Sequence, residues 1–179
     1  VKSCYGHIRE LPRKGDPIDI ENNFNPTYVV PQEKKKVVNE LLSIAKKCKT
    51  VWLATDEDRE GEAISWHLLH ALKLNTNNTK RITFNEITSS AIKFAIENPR
   101  EIDQNLVDAY LTRRILDHLI GFKVSPFLWR HVSRAKSAGR VQSPSLRIIC
   151  EREDLRDAHV SEEYWPIKAK FKFSDFELD

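Results

Sequence analysis

The chain has 179 residues, of which 40% are apolar, and its formal net charge is +3. This length suits one large domain or two small ones with a hydrophobic core, and the apolar runs are far shorter than the roughly 18 residues that a membrane span needs. No basic-then-apolar leader opens the chain and its three cysteines form no CxxC pair, which argues against a secreted disulfide framework and against a zinc module. We therefore expect a globular protein of the reducing cytoplasm.

The first half of the chain predicts alternating helices and strands. Apolar residues recur at helical spacing over residues 33–48, and a short buried strand is predicted at 51–54. Helical spacing returns over 63–72, and a second short strand at 81–84 leads to a helix at 89–97. This alternation favours the α/β class, with a mostly parallel sheet and flanking helices.

The second half is predicted to be mainly helical. A proline-bounded polar stretch at 97–104 is the predicted domain boundary. A helix follows, with Gly121 where its C-cap belongs, and another helix begins at Ser143, a capping residue followed by Pro144 in the first turn. Strict alternation of apolar and polar residues over 165–173 predicts a half-buried strand.

These patterns predict three parts: an α/β domain over residues 1–98, a smaller helical part over 99–157, and the start of a β-containing domain over 158–179. Between Lys123 and Cys150 there are six Lys or Arg residues and no Asp or Glu, an imbalance that points to a polyanionic partner. The residues expected to supply only a general positive field there are Lys123, Arg130, Arg134, Lys136 and Arg147.

An acidic cluster, Thr-Asp-Glu-Asp-Arg-Glu-Gly-Glu at 55–62, directly follows the strand predicted at 51–54. Carboxylates at the carboxyl end of a parallel strand can share a hard divalent cation, so Asp56, Asp58 and Glu60 could bind Mg²⁺. Alternatively, the acids only stabilise a solvated helix N-terminus, by about 0.3 to 1 kcal/mol each. The spacing alone leaves both possibilities open.

A family resemblance favours the functional alternative. Asp-x-Asp-Arg-Glu-Gly-Glu-Ala-Ile at 56–64, followed by Trp-His-Leu at 66–68, closely resembles the toprim acidic motif of the type IA DNA topoisomerases. Gly-His-Ile-Arg-Glu-Leu-Pro at 6–12 and Phe-Asn-Glu-Ile-Thr at 84–88 resemble further segments of that family, especially its bacterial topoisomerase I type. Ser-Ala-Gly-Arg-Val-Gln-Ser at 137–143 resembles its DNA-binding loop and helix start.

The resemblance implies that residues 1–98 form a toprim domain and that the intact enzyme is a bacterial isomerase, cytoplasmic and associated with the nucleoid. Such an enzyme breaks one DNA strand through a 5′-phosphotyrosine, passes another strand and rejoins the break, and so relaxes negative supercoils without ATP. The implied cofactor is Mg²⁺, and the implied partner is single-stranded DNA, bound by a monomer.

The resemblance also implies roles for individual residues. Asp56, Asp58 and Glu60 would be metal ligands, and Glu60, Arg59 and His7 would act in catalysis. The implied DNA-binding residues are Arg113, Arg114, Ser137, Gly139, Arg140 and Gln142.

Other roles stay open for some of these side chains. Arg59 could instead pair with the neighbouring acids, and His7 could be structural. Glu62 is expected to cap the helix or to pair locally, and His67 to serve either in packing or in phosphate contact.

The chain also departs from the family pattern. Where the family has Gln-Ala-Arg-Arg, this chain has Leu-Thr-Arg-Arg at 111–114, which keeps the arginines and loses the polar residue before them. The chain contains no methionine, and none of its four tyrosines has the context of the family's nucleophile. We therefore expect both ends to be cut, the catalytic glutamate of the first toprim strand and the nucleophilic tyrosine to lie outside the chain, and the chain alone not to cleave DNA.

The sequence leaves two alternatives to a type IA topoisomerase. Another toprim enzyme, a primase or a nuclease, would share the acidic cluster but not the segment at 137–143. A noncatalytic nucleic-acid-binding module would use its acids only as a helix cap, and would bind DNA equally well with and without Mg²⁺.

Overall fold

The computed structural model describes residues 1–12, 14–132, 134, 137–173 and 176–178. The chain divides into two structural units, Val1–Ala138 and Gly139–Asp179, and each is described by itself. Lys136, which was expected to contribute to the positive field, lies outside the described residues. In chain order the elements are β1 (Ile18–Asp19), β2 (Asn25–Pro26), a 3-10 turn (Gln32–Lys34), α1 (Lys35–Ala45), β3 (Val51–Leu53), α2 (Arg59–Ala71), a second 3-10 turn (Thr76–Asn78), β4 (Thr79–Arg81), α3 (Ser89–Glu97), α4 (Gln104–Leu119), a π-helical turn (Ile120–Val124), α5 (Ser125–His131), α6 (Gln142–Asp157), β5 (Phe171–Phe173) and β6 (Phe176–Leu178).

A parallel strand pair organises the first unit. β3 and β4 run parallel with Val51 opposite Thr79 and Leu53 opposite Arg81. Ile8, Val38, Leu53, Leu68 and Leu72 form the buried core cluster, so the N-terminal segment, α1, β3 and α2 contribute to one core. The predicted α/β class, with a parallel sheet beside helices, is confirmed.

The predicted strand at 81–84 begins earlier than expected. β4 is Thr79–Arg81, and only the backbone N–H of Ile82, which donates to the Leu53 carbonyl at 3.0 Å, prolongs the pairing. Because β3 ends at Leu53, no partner carbonyl of that strand remains for residues 83 and 84. The helix predicted at 89–97 is confirmed as α3.

The polar stretch at 97–104 is tied to the sheet. Arg100 forms an antiparallel bridge with Arg81, with N–H to carbonyl distances of 2.8 and 3.0 Å. The predicted domain boundary there stays a prediction.

Gly121 does not end a helix, so the predicted C-cap was wrong. The chain passes from α4 through the π-helical turn Ile120–Val124 into α5. Pro126 lies in the first turn of α5 and has no N–H for the carbonyl one turn earlier, which accounts for the interruption of the α-helical ladder.

The second unit contains α6 and the antiparallel pair β5 and β6. α6 begins at Gln142, one residue before the predicted start, and no side chain caps it, so Ser143 is not its cap. Of the strand predicted at 165–173 only Phe171–Phe173 forms, because the pairing with β6 spans only those three residues. Among the described residues, no helix combines the length and apolarity needed to cross a membrane.

Candidate metal and nucleic-acid site

The acidic residues lie where β3 leaves the sheet. We call residues 54–58, between β3 and α2, the acidic loop. Asp56 and Asp58 are both exposed there, at the carboxyl end of a parallel strand, which is where open α/β sheets bind ligands.

Local hydrogen bonds fix the loop to the start of α2. The Asp58 carboxylate accepts from the backbone N–H of Gly61 at 2.7 Å and so caps the helix. The Thr55 hydroxyl lies 2.6 Å from the Gly61 carbonyl, to which it donates, and 2.8 Å from the Ser65 hydroxyl. A Cβ at position 61 would lie 2.1 Å from the Asp56 carbonyl oxygen, so only glycine allows this approach of the two backbones.

Glu60 faces outward and brings three parts of the chain together. Its side chain is 36% exposed and forms an ion pair with Arg113 of α4. The other carboxylate oxygen lies 3.4 Å from Nε2 of His7, which belongs to the N-terminal segment. Nδ1 of His7 lies 3.5 Å from the Tyr110 hydroxyl, and the two rings stack at a centroid distance of 5.3 Å.

Glu62 points the opposite way and is fully buried. Its carboxylate accepts from Nε of Arg81 at 2.9 Å, from Arg100 at 2.6 Å and from the backbone N–H of Asp103 at 2.9 Å. Burial tends to raise the pKa of this carboxyl, but the hydrogen bonds from Arg100, Asp103 and Arg81 outweigh it and hold the pKa below its usual range. Glu62 therefore stays ionised inside the protein.

The pairing of Glu62 corrects the prediction of a local partner. Arg81 and Arg100 lie 19 and 38 positions away in the sequence. The signal that could have found this pair was Arg81 itself, a charged residue at the start of a run expected to be buried, because such a residue needs a partner.

His67 lies in a buried aromatic cluster and not on a phosphate-binding surface. It is fully buried, its ring centroid lies 4.7 Å from that of Tyr28 and 4.9 Å from that of Trp66, and neither ring nitrogen has a hydrogen-bond partner. Burial, together with the positive charge of Arg9, lowers the pKa of His67 to about 3. Its role is packing as a neutral ring. Burial also raises the pKa of the Tyr28 phenol to about 12.

The structure places the predicted site residues of the first unit in two groups. His7, Glu60 and Arg113 are in contact, whereas Asp56, Asp58 and Arg59 are exposed around the start of α2. Arg114 is exposed on α4 and Ser137 is exposed near the end of the unit.

The remaining predicted DNA-binding residues belong to the second unit. Gly139 lies under the side chain of Gln142, because a Cβ at position 139 would meet that side chain at 2.7 Å. Arg140 is exposed in the turn before α6. Whether these residues share one site with those of the first unit stays a prediction.

The carboxylates fit only part of the predicted metal site. Among the described residues, no three His, Cys, Asp or Glu side chains converge as a metal cage would require. Glu60 is engaged by Arg113 and His7, and one oxygen of Asp58 caps α2. The exposed pair Asp56 and Asp58 does fit Mg²⁺, which is commonly held by one or two carboxylates with waters and substrate phosphates.

Sequence reasoning missed the contact of Tyr110 with His7. Tyr110 is 5% exposed, and burial raises the pKa of its phenol. The partners lie 103 positions apart in the sequence, and no local pattern indicates such a contact.

Comparisons with known proteins show the family to which the chain belongs. The family model for the toprim domain matches residues 1–87, and the model for DNA topoisomerase matches residues 101–178. Among solved structures, full-length topoisomerase I from Thermotoga maritima is 44% identical with a TM-score of 0.75, over 89% of this chain and 27% of that one. The chain thus spans about a quarter of that relative's length. With a match to the toprim domain, a match to the DNA topoisomerase family and 44% identity to a topoisomerase I, the chain belongs to the type IA DNA topoisomerases.

Proposed function

We propose that the intact protein is an isomerase that relaxes negatively supercoiled DNA without ATP, through a 5′-phosphotyrosine intermediate and passage of a second strand. The observation that carries this proposal is the convergence of His7, Glu60 and Arg113 next to the acidic loop. Contributions from the N-terminal segment, α2 and α4 meet there, which suits a site for a charged phosphodiester.

In this proposal Asp56 and Asp58 would hold Mg²⁺ next to a phosphate of the bound DNA. When bound, the ion supplies positive charge close to that phosphate. Glu60 contributes a third carboxylate at the edge of the site, where it orients Arg113 and His7. Arg59, exposed at the first position of α2, is placed to contact a phosphate with its planar guanidinium.

The chemistry needs a phosphate in line with the attacking tyrosinate, cations for the developing charge and an acid for the leaving 3′ oxygen. Arg59 and Arg113 supply the fixed cations of this chain. His7 can hold a proton on Nε2, facing Glu60. We propose that the nucleophile and the acid are not among the residues of this chain, so that the chain alone does not cleave DNA.

The proposed partner is a single-stranded region of DNA, bound by a monomer in the bacterial cytoplasm at the nucleoid. Phosphate contacts come from flexible cationic side chains and from close backbone approach.

The domains are proposed as 1–98 for toprim, 99–157 for the helical DNA-binding part and 158–179 for a β-containing part. The residues proposed to bind DNA are Arg113, Arg114, Ser137, Gly139, Arg140 and Gln142.

Calorimetric titration of Mg²⁺ into the chain at fixed ionic strength tests the metal site. The test variant is Asp56→Asn with Asp58→Asn, which keeps a capping residue at position 58. The matched control is Glu57→Gln with Glu97→Gln, which removes the same charge from two exposed acids. We expect saturable binding in the wild type and in the control, and none in the test variant. No binding in the wild type, or an equal loss in the control, would contradict the proposed site.

One observation favours a second function, that of a noncatalytic nucleic-acid-binding module. Asp58 does act as a helix cap, as that alternative requires. Such a module would bind a single-stranded oligonucleotide with the same affinity with and without Mg²⁺ at matched ionic strength. An Mg²⁺-dependent affinity excludes it.

A further inference from the structure

Arg81 is the largest fully buried side chain of the described residues, with 1% of its surface exposed. Its guanidinium donates to the carbonyl groups of Thr55 and Asp56, both at 2.7 Å, and to that of Leu53 at 3.2 Å. These carbonyls belong to the last residue of β3 and to the acidic loop. One buried side chain therefore holds the backbone of the loop at Thr55 and Asp56, directly after the strand.

The carbonyl groups of Thr55 and Asp56 need such a donor because the chain leaves the sheet there, whereas the Leu53 carbonyl also accepts from the backbone N–H of Ile82. Beyond Leu53 the strand ladder ends, and a buried carbonyl without a partner is costly. The planar guanidinium offers five N–H donors in a fixed fork, which allows several carbonyls to be bound in one geometry. The short contact of Gly61 with Asp56 holds the loop from the side of α2.

Glu62 fixes the guanidinium in turn. Its buried carboxylate binds Nε of Arg81 at 2.9 Å and is itself held by Arg100 and by the backbone N–H of Asp103. The position of the loop is thus coupled to the segment that leads into α4.

We propose that Arg81 is the positioning residue of the acidic loop: it fixes the loop backbone so that Asp56 and Asp58 are presented together to a divalent cation. This inference rests on the proposed function, in which that pair holds Mg²⁺. Arg81 touches neither the cation nor DNA and acts through the backbone of Thr55 and Asp56.

The test variant is Arg81→Lys in the 179-residue chain. Lysine keeps the positive charge but presents a compact ammonium, which cannot span the same carbonyls. We expect the Mg²⁺ dissociation constant to rise roughly tenfold to a hundredfold, as for other groups that orient metal ligands. Binding should still saturate at high Mg²⁺. Amide hydrogen exchange of residues 55–60, measured without metal, should quicken.

The control is Val38→Ala, which removes core contacts made by α1 and leaves Arg81 and its carbonyl partners in the loop unchanged in sequence. A second variant, Arg81→Met with Glu62→Leu, removes both buried charges together, since apolar replacement of a buried pair often preserves the fold. This double variant replaces Arg81→Lys in the test if Arg81→Lys does not fold. It should show the same faster amide exchange in the loop.

The two readouts separate the inference from the proposed function. Loop amides that exchange no faster in the Arg81 variants than in Val38→Ala would overturn the positioning role. Absence of Mg²⁺ binding in the wild type would refute the proposed metal site, while the exchange comparison would still decide whether Arg81 orders the loop.

Discussion

Glu60 and Glu62 lie two positions apart in the first turn of α2 and have opposite environments. Two residues along an α-helix rotate the side chain by about 200°, so one glutamate faces outward and the other faces the interior. Glu60 is 36% exposed with partners from two other parts of the chain, whereas Glu62 is fully buried and receives hydrogen bonds from two arginines and a backbone N–H. The same acidic motif therefore contains a group for the site and a group for the fold.

The difference shows why charge density in a motif does not by itself measure function. A buried carboxylate that is fully paired is expensive to disrupt, because removing it leaves its partners uncompensated. A half-exposed carboxylate exchanges partners at little cost. Substitutions on the two sides of α2 should accordingly give different kinds of effect.

The largest expected effect is on the stability of Glu62→Gln. Loss of the carboxylate leaves Arg81 buried without its counter-ion, and we expect the free energy of unfolding to fall by about 3 to 5 kcal/mol. Urea denaturation of the variant and of the wild type measures this. A loss below about 1 kcal/mol would mean that the carboxylate of Glu62 does not compensate the buried charge of Arg81.

The next effect concerns His67 and pH. Its folded-state pKa of about 3 lies below the ordinary 6.5, so below pH 6.5 the unfolded chain takes up a proton that the folded protein does not. The resulting penalty grows as pH falls, by at most about 1.4 kcal/mol per pH unit, until pH approaches the folded pKa.

Replacing His67 with Phe should remove this pH-dependent loss of stability. We expect the wild type to lose more stability than His67→Phe between pH 6.5 and pH 5, as measured by urea denaturation at several pH values. His70 and His118 also have lowered pKa values, mainly through burial, and they contribute to both proteins alike. Parallel pH profiles for the two proteins would show that His67 is protonated in the folded state.

A smaller effect is expected at Asp58. Asp58→Ala removes the cap of α2 and should lower stability by about 1 kcal/mol, whereas Asp58→Asn should stay close to the wild type because asparagine also caps. Thermal unfolding of both variants measures the difference. Equal losses in the two variants would mean that the carboxylate charge, and not the cap, stabilises the helix.

The smallest effect on stability is expected for Glu60→Gln, below about 1 kcal/mol. Its effect should instead be on binding. Release of Arg113 from its ion pair should tighten the affinity for a single-stranded oligonucleotide in Mg²⁺-free buffer by about twofold to fivefold. Fluorescence anisotropy measures this change, with Glu57→Gln as a control of equal charge. An equal gain in affinity for Glu57→Gln would mean that the change in net charge, and not the release of Arg113, causes the tighter binding.

Sequence reasoning predicted the parts of the molecule that depend on local pattern. The acidic cluster was expected to follow a buried strand at 51–54, and it follows β3, in which only Leu53 is buried and Trp52 is 42% exposed. The helix predicted at 89–97 is α3. The interruption before α5 was missed because Gly121 resembles a C-cap, whereas Pro126 further along determines where the ladder breaks.

The contacts made by Glu62 and by His7 are long-range contacts that no local sequence pattern indicates. Arg81 and Glu62 are adjacent only because β4 pairs with β3 and α2 packs beside them. His7 contacts Glu60 and Tyr110 from the N-terminal segment, and Tyr110 lies 103 positions further along the sequence. The motif predicted which side chains could form a site, and tertiary structure decides which of them are exposed and which are buried.

The most direct test of the division between Glu60 and Glu62 is the effect of Mg²⁺ on single-stranded DNA affinity, measured by anisotropy at matched ionic strength. We predict that Mg²⁺ tightens binding by the wild type, that this response is lost in the Asp56→Asn, Asp58→Asn variant, and that it is weakened in Glu60→Gln, which loses the carboxylate that orients Arg113 and His7. A wild-type affinity that is independent of Mg²⁺ would contradict the account, because the outward acids would then serve only as the cap and surface of α2.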